Sequence, residues 1–163
     1  MQVFKDLINN AVLLVPVCAW IVSGIIKTVI KLIVDKKFSA ERLFGDGGMP
    51  SSHSATVSAL AFMCGWTYGL DSGVFAIAVI LAAIVTHDAT GVRREAGKQA
   101  QTIKQLAAAF NEYFAEKNEE IKTEKLKELV GHTPLQVIAG VITGGVVTVI
   151  YCLIAQLPYA CFA

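Results

Sequence analysis

The chain has 163 residues, a net charge of +1, a mean hydropathy of +0.58 and 55% hydrophobic residues. That length fits a single domain, residues 1–163, and that composition is too apolar for an ordinary soluble domain of the same size. The dense basic face backed by aromatics that a nucleic-acid binder needs is absent. So are CxxC and Cys/His metal spacings, so Cys18, Cys64, Cys152 and Cys161 read as small apolar side chains, with no metal and no cofactor implied.

The N-terminus has no basic region followed by a cleavage site, so the first oily segment is expected to be retained. Residues 11–34 are apolar for sixteen residues before Lys27 interrupts them, enough for a membrane span whose lysines snorkel at one end. Residues 35–52 turn charged and then Gly/Pro/Ser-rich, a loop. Residues 54–70 form a second, modestly apolar span, Asp71-Ser72-Gly73 a tight turn, and residues 74–87 a short third span. From Asp88 to about Val130 the character changes. Ile103, Leu106, Phe110, Tyr113 and Phe114 recur at helical spacing among charges, which predicts an amphipathic helix; EKNEE at 116–120 breaks it, and a short charged helix follows to Leu129. Residues 134–157 are the clearest span, opened by Pro134 at a favoured first-turn position. Gly140 and Gly144 form a GxxxG within it, a signature of close helix packing that also suits a homodimer.

The expected fold is therefore all-α, an integral membrane bundle of about four transmembrane helices with a helical insertion over 88–133. Four spans put the loop 35–52 and the segment 88–133 on one face, and the Asp71 turn and both termini on the other. Of the 14 Lys and Arg residues, 13 (all but Lys5) lie on the first face or at helix ends beside it. By the positive-inside rule that face, insertion included, is cytoplasmic, and the expected location is the plasma membrane.

On that face polar side chains from distant parts of the chain reach one membrane level. Lys27 closes the first span, Ser51, Ser52 and His53 open the second, Asp88, Arg93 and Arg94 follow the third, and His132 opens the fourth. Their types suit a phosphate. Helix N-termini present unpaired N–H groups, and Ser51 or Ser52 can cap the second helix while Thr133 helps at the fourth. Arginine gives planar multidentate donors and lysine a point charge. Histidine changes charge near neutrality, so His53 and His132 can serve as nucleophile and general acid. Each feature also has a plainer reading: the serines as caps, Arg93-Arg94 as a stop-transfer anchor, Lys27 as a snorkelling lysine. His87 fits a buried, hydrogen-bonded role, with an acid–base role beside Asp88 as the alternative.

PSSH at 50–53 resembles the second motif, P-S-G-H, of the type 2 phosphatidic acid phosphatase superfamily, which includes the vanadium haloperoxidases. GHTPLQVIAG at 131–140 resembles the third motif. GGMPSSHSA, DATGVRREAGKQA at 88–100 and LKELVGHTPLQV at 126–137 look like signature blocks of the superfamily's short divergent branch, in order from about Lys27 to the last span. The resemblance implies a metal-independent phosphatase in which His132 attacks phosphorus to form a phosphohistidine and His53 protonates the leaving alkoxide. Ser51 and Ser52 would cradle the phosphate. Lys27 corresponds to the first-motif lysine, with Arg42 a loose counterpart of the arginine that follows it. Arg93 or Arg94 would stand in for the third-motif arginine. Where the superfamily places an aspartate four residues after the nucleophile, this chain has Gln136; Glu128 and Asp88 are the carboxylates that could replace it. The expected partners are the bilayer and a lipid or isoprenoid phosphate in the cytoplasmic leaflet; a lipid-phosphate-binding or scaffold protein without turnover is the alternative.

Overall fold

The computed structural model describes residues 1–35, 48–113 and 131–157, apart from the side chains of Asp35, Val92, Arg93, Arg94 and Tyr113. Among the described residues six helices follow one another: α1 (Gln2–Ile8), α2 (Ala11–Asp35), α3 (Ser52–Tyr68), α4 (Gly73–Thr90), α5 (Val92–Tyr113) and α6 (Pro134–Ile154). The described residues contain no strand. The short charged helix expected before Leu129, Arg42, Glu128, Gly47 and Cys161 lie outside the described residues.

The helices α2, α3, α4 and α6 start where a side chain supplies an acceptor for a first-turn N–H group. The Asn10 Oδ1 accepts from the Leu13 N–H at 3.2 Å before α2. Ser51 caps α3, its Oγ accepting from the Ser54 N–H at 3.3 Å. Ser72 caps α4 through the Phe75 N–H at 3.2 Å. Gly69, at φ +88°, ends α3 in a conformation that side-chain-bearing residues rarely adopt, and Ser72 closes the turn by donating its hydroxyl to the Gly69 carbonyl.

Among the described residues three segments are long and apolar enough to cross a membrane: Ala11–Val34, the stretch Gly73–Glu112 that contains α4, and Pro134–Ile154. The expected second span, α3, is not among them. It has 17 residues, about 25 Å at 1.5 Å per residue, against a hydrocarbon thickness of about 30 Å. Its Ser and Thr residues lower its hydropathy for a physical reason. α3 is the central helix, packed against α2, α4 and α6, and it buries Ser52, Ser54, Ala55, Ser58, Ala59 and Met63. A helix surrounded by helices gains from small side chains that let backbones approach, not from bulky ones that face lipid. The outer helices carry the bulk instead: Ile77, Ile80 and Ile84 on α4 and Ile138, Ile142 and Leu153 on α6 are all exposed, an apolar belt that requires a bilayer around it.

The α3–α6 contact is closest of all. A Cβ on Gly140 would come within 2.5 Å of the Ser51 carbonyl oxygen, and one on Gly144 within 2.5 Å of the Ala55 carbonyl oxygen. Further along, the Thr148 hydroxyl lies 3.5 Å from the Ala59 carbonyl oxygen and the Cys152 thiol contacts the Met63 sulfur at 4.0 Å. The pairing advances in the same direction along both helices, so α3 and α6 are parallel and their N-termini lie at one end of the bundle. Cys64 and Cys152 are buried as expected for small apolar groups, while Cys18 is exposed. His87 is exposed rather than buried. It lies in the last turn of α4, an outer helix that buries only Ala78 and Ala89.

Candidate functional site

The parallel α3–α6 pair places His53, in the first turn of α3, beside His132, the residue before the α6 cap. Their ring centroids are 6.5 Å apart with the planes tilted by 55°. The two sit differently: His132 is 4% exposed, whereas His53 is exposed at the mouth of the site.

Four hydrogen bonds fix the ground under His132. Its backbone N–H donates to the Ala89 carbonyl at 3.0 Å, which fastens the 131–133 segment to the end of α4. Thr133 caps α6 in a capping box: its Oγ accepts from the Gln136 N–H at 3.4 Å, and the Gln136 Oε1 accepts from the Thr133 N–H at 3.0 Å. The same Oε1 lies 3.2 Å from the His132 Nδ1. Because the Thr133 N–H can only donate, the atom it meets must be the amide oxygen, and the imidazole nitrogen facing that oxygen must carry a proton. The neutral ring therefore holds its hydrogen on Nδ1 and its lone pair on Nε2. Gln136 also reaches across the seam, its backbone carbonyl accepting from the Ser51 N–H at 3.0 Å. One residue thus orients His132, closes the α6 cap and ties it to the loop before His53.

The two helix starts offer unequal sets of donors. Pro134 has no N–H and the Gln136 N–H is taken by Thr133, so α6 has little left for an anion. On α3 the Ser51 N–H is committed to Gln136 and the Ser54 N–H to Ser51, which leaves the N–H groups of Ser52 and His53 as first-turn donors with no helical acceptor. Ser51 is fully buried and its Oγ also accepts the Ser54 hydroxyl at 3.0 Å, so its side chain works inside the cap.

Lys27 is only 7% exposed, and its Cγ and Cδ lie about 4 Å from where a Gly48 Cβ would be. Its stem therefore runs along the loop that leads into Pro50, Ser51 and His53. Lys27 does not close α2, which continues to Asp35; it joins the cluster from within the C-terminal half of that helix. Asp88 is half-buried, adjacent in the chain to Ala89 and so to the backbone of His132. Arg93 and Arg94 fall in the first turn of α5, directly after the Gly91 that ends α4; their side chains lie outside the described residues. Lys27, Ser51, Ser52, His53, Asp88 and His132 thus gather in one part of the bundle, Lys27 from within α2 and the others from the ends of α3, α4 and α6. Among the described residues no cluster of His, Cys, Asp and Glu has the makings of a metal site.

Set against the superfamily aspartate, Gln136 reads as an uncharged hydrogen-bond acceptor. The signal for its other role was in the letters T-P-L-Q, which have the Ser/Thr-x-x-Glu/Gln spacing of a capping box. The Ala89 carbonyl had no such signal, because a backbone acceptor is not legible in side-chain identity.

The sequence profile of a family described as Divergent PAP2 matches residues 8–147. The uncharacterized membrane protein YuiD of Bacillus subtilis (strain 168) is 42% identical over 151 residues, spanning 89% of this chain and 96% of that protein. No solved structure matches the chain.

Proposed function

Since this chain belongs to the Divergent PAP2 family, we propose that it is a membrane phosphatase that hydrolyses a lipid or isoprenoid phosphate without a metal, through a phosphohistidine on His132. The observation that carries this reading is the paired histidines, 6.5 Å apart, with the buried one held in the tautomer a nucleophile needs. Rings at that separation can both reach one phosphate group.

The phosphate is bound by the N–H groups of Ser52 and His53 at the positive end of α3, by the Lys27 ammonium, and by Arg93 and Arg94 at the start of α5. The His132 Nε2 lone pair attacks phosphorus in line with the ester oxygen. The P–N bond forms as the P–O bond breaks, and the leaving alkoxide takes its proton from protonated His53. Neutral His53 then accepts a proton from water as that water attacks phosphorus, which releases inorganic phosphate and restores His132. Gln136 keeps the ring in register throughout; being neutral, it orients the developing imidazolium without countering its charge. Asp88, one residue from Ala89, is the nearest carboxylate in sequence to that anchor and is assigned the electrostatic part. The site is assigned to the cytoplasmic face of the plasma membrane, a reading that the cation bias of the flanking segments supports, with α5 at headgroup level, its Ile103, Leu106 and Phe110 exposed for burial in the interface.

Purified full-length protein in detergent, offered a panel of lipid phosphates, is expected to release phosphate and to trap an acid-labile phosphoryl group that His132→Ala removes. Turnover undiminished by His132→Ala would sink the nucleophile assignment. A second reading follows from Gln136 itself: a neutral residue in place of the superfamily carboxylate suits a protein that binds lipid phosphates without turning them over. No phosphate release from any substrate, with lipid-phosphate binding retained, would select that reading.

A further inference from the structure

α4 packs on α3 and leans away from α6, so the three helices enclose a lateral cleft of about 750 Å³. Its floor is the small-residue face of α3 around Ser58 and Gly65, and its walls include Ala83 and Thr86 on α4 and Gly145 and Val149 on α6. The polar groups along it are turned inward. The Thr86 hydroxyl donates to the Ala82 carbonyl at 2.8 Å and the Thr148 hydroxyl to the Gly144 carbonyl at 2.9 Å, so what they show the cleft is largely methyl. The volume is in the range of ligand sites, about 300–1,000 Å³, and an apolar cavity of this kind has no affinity for water.

We propose that this cleft holds one hydrocarbon chain of the phosphate-bearing substrate, so that the protein selects a long-chain lipid phosphate by its tail as well as its headgroup; the inference rests on the lipid-phosphate reading of the site above. Position makes the argument. Thr86, at one end of the cleft, stands less than one turn from Ala89, whose carbonyl holds the His132 backbone. Ser58, at the same end, follows His53 by five residues, about 7 Å along α3. From there the cleft runs to Trp66, about 20 Å from His53 at 1.5 Å per residue. A phosphate at the histidines thus leaves its ester carbons at the head of an apolar channel, and the channel continues along the direction the chain must take into the bilayer. A helix of a second copy is the rival occupant.

Trp66 reports on the far end, and Trp20, on α2, is the other tryptophan in the chain. The test uses full-length Trp20→Phe, His132→Ala protein in nanodiscs of unbrominated phosphatidylcholine. It is titrated with a monoacylglycerol phosphate brominated near the methyl end of its chain, and separately with the same chain on a phosphocholine head. The phosphate lipid is expected to quench Trp66 saturably and the phosphocholine lipid only in proportion to its mole fraction. Ala83→Phe, at an exposed wall position, is expected to raise the half-saturating mole fraction by about tenfold, with Val149→Phe doing the same from the opposite wall; Ile84→Phe, on α4 but outside the cleft, is expected to leave it unchanged. Quenching by both lipids in simple proportion, unaffected by either cleft-filling variant, would overturn the proposal. So would a shift from dimer to monomer in Ala83→Phe with lipid quenching intact, which would give the cleft to a second copy. The two readings fail separately: phosphate release from a water-soluble phosphomonoester without saturable quenching removes the tail site alone, and saturable quenching without release from any substrate removes the hydrolase alone.

Discussion

The two histidine-bearing helix starts look alike in sequence, a hydroxyl residue and a proline beside a histidine, and are built for opposite tasks. At α6 the N-terminus is closed on itself: the capping box uses the Thr133 and Gln136 N–H groups, Pro134 has none, and His132 is buried with its ring fixed by Gln136. At α3 the cap uses only the Ser54 N–H within the first turn, and the histidine is exposed. One start fixes its side chain; the other leaves two backbone donors and an exposed imidazole. The lesson is that a helix N-terminus becomes an anion site through what its caps leave over, not through the dipole alone.

This contrast can be broken at several points. The proposed acid at α3 predicts that His53→Ala lowers turnover of alkyl phosphates by about 10²–10⁴-fold, the range for general acid catalysis. The loss should be much smaller for an aryl phosphate whose leaving group departs without a proton; steady-state rates on both substrates check it, and an equal loss on both would deny His53 its role. At α6, Gln136→Leu removes the ring's anchor and half of the capping box, and turnover is expected to fall by about 10–100-fold, as losses of orienting partners do at other histidines. Gln136→Glu keeps the acceptor and adds the charge, and it is expected to match or exceed the wild-type rate. Equal losses in both variants would mean that the amide itself, not its oxygen, is required. The seam that sets the two starts side by side should respond to its own probe: Gly140→Ala drives a methyl toward the Ser51 carbonyl and is expected to cost about 1–3 kcal/mol, read as a lowered thermal midpoint together with reduced turnover. Ser51→Ala is the mildest, about 1 kcal/mol for a lost cap, and it should lower stability more than it lowers binding of inorganic phosphate, since the Ser51 N–H and Oγ face the protein.

Much of this was legible beforehand because membrane and helix-end chemistry are written locally. The apolar runs give α2, α4 and α6; Ser51 and Thr133 mark their helix starts; the topology alone brings Lys27, His53, Asp88 and His132 to one end. The sequence shows residues 54–70 only as a second, modestly apolar span, because hydropathy does not distinguish a helix that is shielded by neighbours from one that is merely short of bulk. Gln136 was read against a carboxylate and so as a loss, although its capping-box spacing was present.

By itself the sequence determined which segments are apolar helices, where most of them begin, and which polar residues share a level, since period, caps and span length are properties of neighbours in the chain. Only the tertiary structure decided that α3 lies at the centre, that Gly140 and Gly144 draw α6 alongside it, and that one glutamine oxygen serves both a cap and a histidine. Those depend on the separation between helices, which is fixed by how closely two backbones can approach once no Cβ stands between them.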